Sequence, residues 1–200
     1  VNFIDPAPSN AAGDFIPGMK KSSVGALLPG IAIRITSPHT GRVVPITTSG
    51  MIWLKGPNIF PGYLGGPETD RDIFVDGWLK TGDIGNMQSN GNVTITDRKK
   101  DMILVSSFNV YPNEVESVVM MHPGVAECAV IGVPDEKSGE SVKLLVVRKD
   151  PRLSKEEIIE FCKTQLTGYK RPHHIEFRDS LPKSPVGKIL RRELREDRKG

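Results

Sequence analysis

Apolar and polar positions alternate in two different ways along this chain. Through about residue 100 the apolar runs are short and separated by Gly- and Pro-rich turns. "IAIRIT" (31–36), "MIWLK" (51–55) and "VTITD" (93–97) read as strands, divided by turn signals such as "PHTG" and "SNGN". "PETDRDIF" (67–74) is compatible with a short helix after Pro67, and no long helix is expected in this half. "GWLKTGD" (77–83) reads as a tight Thr-Gly turn ending in an acid.

After "TDRKKD" the pattern changes. "MILV" (102–105) reads as a strand, and "YPNEVESVVMMHPG" (111–124) as a helix with Pro112 in its first turn, Val115, Val118 and Val119 on one face, and Pro123-Gly124 at its end. "VAECAVIGVP" (125–134) and "SVKLLVVRK" (141–149) are almost continuously apolar, the mark of central strands. In "SKEEIIEFCKTQLTGYKRP" (154–172), Ser154 and Glu157 form a capping box, while Ile158, Phe161, Cys162 and Leu166 make the buried face. Gly168 is the expected C-terminal stop. "HIEFRD" (174–179) adds a strand, and Ile189, Leu190 and Leu194 fall at helical spacing near the end. The expected class is α+β: a β-rich subdomain, a partial barrel, over residues 1–97, then a small mixed α/β domain over 98–200, with the boundary at Asp97–Arg98.

Composition narrows this picture only a little. Two hundred residues can bury one large or two small cores. A net charge of +3 is too small to argue for a nucleic-acid partner. The excess gathers at the end, where Lys183, Lys188, Arg191, Arg192, Arg195, Arg198 and Lys199 face Glu193, Glu196 and Asp197, and a solvated terminal helix is the commoner use of such a run. Cys128 and Cys162 lie in apolar segments without metal-binding spacing and read as reduced core thiols. No run reaches membrane-spanning length, and no signal peptide opens the chain. The chain begins with Val1 rather than Met, which points to a processed or cut boundary.

Three stretches carry candidate chemistry. In "LPKSPVGKILRREL" (181–194), Pro182, Pro185 and Gly187 shape a mobile loop that delivers Lys188, a point charge on a flexible stem suited to phosphate or carboxylate. Asp83, beside Gly82, is able to accept hydrogen bonds from both hydroxyls of a vicinal diol. "TDRKKD" (96–101) sets an Asp, an Arg and two Lys where the two halves meet. On residue type alone, each is more often a solvated lysine, a turn aspartate or a charged turn.

The order of the blocks is more specific than any one of them. "LKGPNIFPGYL", "DGWLKTGDIG", "VTITDRKKDMI", "NVYPNEVES", "HPGVAECAVIGVPD" and "LPKSPVGKILRREL" resemble the C-terminal part of the adenylate-forming enzymes, from about Val24 to Glu196. "DRKKDMILV" and "LTGYKRP" resemble bacterial long-chain fatty-acid–CoA ligases most. The resemblance implies ATP-dependent adenylation of a carboxylate, then thioester formation with CoA and release of AMP. It implies Lys188 as the catalytic lysine, Asp83, Arg98, Lys100 and Asn109 as ATP/AMP-binding residues, Asp97 as the hinge, and Ser106, Ser107 and Phe108 along the CoA passage.

Four positions depart from the pattern. Many relatives have lysines at Leu104 and Ser106, most have glycine at Ser107, and Met51 replaces a usual glutamate. The phosphate loop and the adenine-contacting segment, which precede this region in the family, do not occur in the sequence. The chain is therefore expected to be a fragment, inactive alone, whose implied partners are fatty acid, ATP, CoA and a preceding domain. Mg²⁺ would bind mainly outside it, and no nucleic acid is expected. The implied location is cytoplasmic, with peripheral membrane contact and a homodimer left open. A carrier-protein acceptor, as in acyl-ACP synthetases or peptide-synthetase adenylation domains, and a non-catalytic interaction module are the alternatives.

Overall fold

A computed structural model describes residues 23–64 and 67–196. Val1 and the tail charges Asp197, Arg198 and Lys199 lie outside the described residues. The chain divides into two compact units, Val1–Lys100 and Asp101–Gly200.

The first unit is a curled, antiparallel five-stranded sheet. Its strands are β1 (Ala32–Thr36), β2 (Gly50–Lys55), β3 (Phe74–Val75), β4 (Trp78–Met87) and β5 (Val93–Arg98), with a one-turn helix, α1 (Pro67–Asp70), before β3. β4 is the spine, pairing β2 on one side and β3 and β5 on the other. Register shifts between Met51 and Trp53 and between Ile84 and Gly85 bend the ladder, as bulges do. Gly85 is required here, because a Cβ would stand 2.0 Å from the Thr94 carbonyl oxygen. Ile52, Leu54 and Val93 form the core with Val24, Ile33 and Met87 against them. Met51, 2% exposed, is packed inside, so the position usually held by glutamate is a core position in this chain.

"GWLKTGD" is not a turn between elements: Thr81, Gly82 and Asp83 lie inside the ten-residue β4. Gly82 has φ +77°, so the strand absorbs the kink without ending. The Thr-Gly pair signals a turn, but β2 pairs with β4 on either side of it, at Lys80 and at Ile84, so the chain runs on as one bulged strand.

The second unit is built on β6 (Ile103–Val105), β7 (Phe108–Val110), β8 (Val125–Asp135), β9 (Gly139–Arg148) and β10 (His174–Arg178). β8 and β9 form a long antiparallel hairpin, and β10 joins β9 in parallel after the crossover helix α3 (Lys155–Gln165). β6 and β7 form a small hairpin that meets β9 at Val105–Gly139. Helices α2 (Pro112–Val119) and α3 cover one face, with Val115, Val119, Ile158 and Cys162 packed on Cys128, Val130, Leu144 and Val146. The other face, Ala129, Ile131, Val133 and Leu145, is covered by Leu181 and by Leu194 of the last helix, α4 (Arg191–Glu196). Both faces being buried explains the continuous apolar runs. Among the described residues β8 nonetheless pairs only with β9, so there it is an edge strand rather than a central one.

Several boundaries differ from expectation. α2 stops at Val119, before Pro123, because Met121 and His122 donate to the carbonyls of Val118 and Val119 and tighten the chain into a turn. The Ser154–Glu157 capping box is present, but α3 ends at Gln165, and Gly168 opens a 3-10 turn instead of capping the helix. Phe161 is only half-buried and meets the edge of His122. Ile189 bridges back to Lys183, so the last helix begins at Arg191.

A largely buried ionic network ties α4 to the rest. Arg191 reaches both carboxylate oxygens of Glu116 on α2, at 3.1 and 2.6 Å. It also approaches Asp101 at 3.6 Å, and Arg195 donates to Asp101 at 2.6 Å. Side-chain exposures of 14%, 16% and 11% for Arg191, Glu116 and Asp101 leave little water to replace a lost partner. Removing one member of such a group typically costs on the order of 3 kcal/mol. Arg191→Leu should therefore lower unfolding stability of the second unit by about 3 kcal/mol in urea titration. A loss below about 0.5 kcal/mol would show that water or neighbouring groups solvate the two acids.

Cys128 and Cys162 are free and buried. Burial, reinforced by the Glu116 charge, pushes the Cys128 thiol up to about 12, and burial pushes Cys162 up to about 11. Each folded value lies above the unfolded one near 9.0, so this contribution to stability is full below about pH 9 and declines as pH rises toward 12. At pH 8, iodoacetamide should modify Cys128 in the folded chain about a thousandfold more slowly than in the unfolded chain. Equal rates, followed by mass spectrometry, would contradict the burial argument.

Candidate functional site

In the first unit, the β4–β5 register sets Asp83 opposite Arg98. Arg98 Nε lies 2.8 Å from Asp83 Oδ1, with the aspartate largely shielded and the arginine half exposed. The Asp83 carboxylate is not spent on its own turn, as an Asp beside Gly often is. Instead Thr81 Oγ1 accepts from the Asp83 N–H at 3.1 Å and donates to the Ile52 carbonyl at 2.9 Å. That hydroxyl buttress is not legible in the sequence, because its partner is 29 positions away. Asp83 stands at the rim of a cavity of about 610 Å³, whose wall includes Met51, Ile52, Leu54 and Leu79 and whose polar groups include Lys80, Thr81 and Lys99. An apolar hollow with a carboxylate on its lining, itself paired to a guanidinium, suits a flat, polar-edged ligand bearing hydroxyls.

Asp97 sits one residue before Arg98 and points to the other face. It is 2% exposed, and its carboxylate accepts from the Arg98 backbone N–H at 2.7 Å. Asp97 and Arg98 are both still paired to β4. Lys100 is exposed in a 3-10 turn, Lys99–Asp101.

In the second unit, Ser106 and Ser107 form the two-residue turn between β6 and β7. Ser106 has φ +57°, and Ser107 does not share this conformation. The backbone demand for glycine thus falls on Ser106, whereas the family pattern places glycine at Ser107. Ser106 N–H is satisfied by the Ser138 carbonyl at 2.7 Å. Phe108, 54% exposed, stacks on Tyr169 at 4.6 Å between centroids. Asn109 is half-buried on β7 opposite exposed Leu104.

Lys188 is exposed on a loop whose base is the Lys183–Ile189 bridge. Ser184 N–H donates to the Lys188 carbonyl at 2.8 Å, Gly187 N–H to the Ser184 carbonyl at 2.8 Å, and Lys188 N–H to Ser184 Oγ at 3.2 Å. Gly187 has φ +80° with open space around it. The loop expected to be mobile is closed by its own hydrogen bonds. Local sequence pattern gives no sign of the acids behind it, Asp101, Glu116 and Glu127. Arg191 is 75 positions from Glu116, and no local spacing announces the pair.

Residues 114–188 match the model of the AMP-binding enzyme C-terminal domain. Those residues are similar to that domain. Over 178 residues it is 52% identical to a long-chain-fatty-acid–CoA ligase of Escherichia coli O6:H1, a match covering 89% of this chain and 32% of that protein. The crystal structure of ATP-bound MatB from Rhodopseudomonas palustris superposes with a TM-score of 0.83 and 41% identity, over 94% of this chain and 37% of that one. The Bacillus subtilis o-succinylbenzoate-CoA synthetase, solved with its acyl-adenylate, gives 0.79 and 36% identity, over 88% of this chain and 36% of that one. The chain thus spans about a third of the length of the curated relatives it matches. Its mixed α/β character and curled sheet are those of the adenylate-forming C-terminal region. Among the described residues, no helix is long and apolar enough to cross a membrane.

The turn at Ser106 lies just ahead of the matched domain, and its backbone gives a direct test. Ser106→Gly should stabilise the second unit by about 0.5 kcal/mol, the left-handed strain relieved less glycine's extra unfolded entropy. Ser107→Gly should instead destabilise by about 0.5–1 kcal/mol. Urea midpoints that order the two variants the other way would remove this assignment.

Proposed function

We propose that the chain is the C-terminal third of an ATP-dependent fatty-acid–CoA ligase. In this reading, residues 1–97 are the last, β-rich part of the large adenylation domain, and residues 98–200 are the small domain. The observation that carries it is Asp83, which lines the apolar hollow and is held by Arg98 across β4 and β5. Such a carboxylate accepts hydrogen bonds from both hydroxyls of a ribose, and the guanidinium beside it fixes the carboxylate's orientation. The 52% identity to long-chain ligases supports a fatty acid as the acid and CoA as the acceptor.

The substrate carboxylate attacks the α-phosphorus of ATP and pyrophosphate leaves. The Lys188 ammonium, bridging carboxylate and phosphate oxygens, offsets the charge that collects between them. Lys100 and Asn109 assist in holding the nucleotide. The small domain then turns about Asp97, which withdraws Lys188. The CoA thiol, guided past Ser106, Ser107 and Phe108, attacks the acyl-adenylate carbonyl, and AMP departs. Among the described residues no cluster of three or more His, Cys, Asp or Glu could hold a metal ion.

The purified chain should show no ATP–pyrophosphate exchange with palmitate. When it replaces the matching third of the E. coli relative, the chimera should adenylate. In that chimera, Asp83→Asn should raise the KM for ATP. Lys188→Ala should slow acyl-adenylate formation by roughly a hundredfold to a thousandfold, with thioester formation from supplied acyl-adenylate little changed. Equal losses in both half-reactions would turn Lys188 into a general structural residue and end the proposal.

A further inference from the structure

We propose that Glu127 and Glu116 are positioning residues for Lys188, acting through ion pairs at the two ends of its loop. This rests on the reading of Lys188 as the catalytic lysine. The loop's own hydrogen bonds fix its shape but do not fix its direction. Leu181, Ile189 and Leu194 hold its flanks against the β8–β9 face, and apolar contact is non-directional. Orientation must come from directed interactions, and Glu127 and Glu116 supply one at each foot, the second alongside the contacts of Arg191 with Asp101 and Asn113.

Lys183, at the first foot, pairs with Glu127 of β8. Arg191, at the second foot, makes a two-oxygen contact with Glu116 of α2. Glu116 is itself held, because its Oε1 accepts from the Val130 N–H of β8 at 2.8 Å. A fork-shaped pair of this kind specifies angle as well as distance. Both acids border a single hollow of about 430 Å³ with Asn113, Met120 and Ile189.

The pairing does a second thing. Lys188 lies between two cations in sequence, and each of those cations has its own carboxylate. With Glu127 matched to Lys183 and Glu116 matched to Arg191, neither acid draws the Lys188 ammonium inward. Among the described residues Lys188 has no ion pair, and it is exposed. The arrangement both aims the loop and keeps its charge unspent.

The test on the 200-residue chain is ¹⁵N relaxation. Backbone order parameters at Val186, Gly187 and Lys188 should stand near ~0.8 in the unaltered chain and fall below ~0.6 in Glu127→Lys. The exchanged pair, Glu127→Lys with Lys183→Glu, should restore them, while Leu144 and Val146 of β9 stay rigid throughout. A loop that remains ordered in Glu127→Lys overturns the proposal. So does a swap that fails to restore order, or loosening that extends to β9. In the E. coli chimera, Glu127→Lys should lower kcat for acyl-adenylate formation about ten- to a hundredfold at unchanged KM for ATP, and the swap should recover it. Altered loop order with unaltered adenylation would remove the positioning role. Lys188→Ala leaving adenylation intact would instead remove the functional reading, with the relaxation result standing.

Discussion

Arg191 lies between two carboxylates in a place where water reaches little. Asp101 and Glu116 come from the start of the second unit and Arg191 from its end, and neither acid could be left there alone without a large desolvation cost. The guanidinium meets that demand and, in doing so, closes the fold. It joins the segment after Lys100, helix α2 and helix α4 at a single point. The α4 helix is only six residues long and would not persist unaided. Its place on the sheet follows from Leu194 and from this ionic contact together. What precedes it in the chain, including the Lys188 loop, inherits that placement.

The first unit is organised by a different constraint. One long strand, β4, carries neighbours on both sides, and bulges bend the ladder around it. The bend gathers Met51, Ile52, Leu54 and Leu79 around a hollow and sets Asp83 at its rim. Close approach at Gly85 and left-handed backbone at Gly82 make the curvature possible. Here geometry comes from the backbone, whereas in the second unit it comes from side-chain charge.

Local pattern made most elements legible. The alternation in "IAIRIT" and "VTITD", the capping box at Ser154 and the double-sided apolar runs of β8 and β9 all correspond to observed elements. Lys188 and Asp83 were legible as candidates from their Gly-flanked settings, and family resemblance gave them roles. β7 and the length of β4 were not, because Ser-Ser and Thr-Gly look like chain breaks until pairing partners are known. The Arg191–Glu116 contact was illegible for a deeper reason: both residues sit in ordinary charged surroundings, and only the fold reveals that those surroundings are dry. Likewise, Ser106 and not Ser107 bears the backbone strain, a distinction invisible without torsion angles.

β8 is eleven residues long, largely apolar and, among the described residues, without a strand along its outer edge, which makes it a template onto which another chain could add a strand. The Val130 N–H on that strand is already occupied by the Glu116 carboxylate. Pro134 offers no N–H near the strand's end, and Glu127 places a charge near its beginning. A second strand arriving here would have to dislodge Glu116, and Glu116 cannot leave without releasing Arg191. Self-association by strand addition is thereby coupled to loosening of the last helix. One carboxylate thus both anchors the last helix and occupies a donor on the open edge of the sheet.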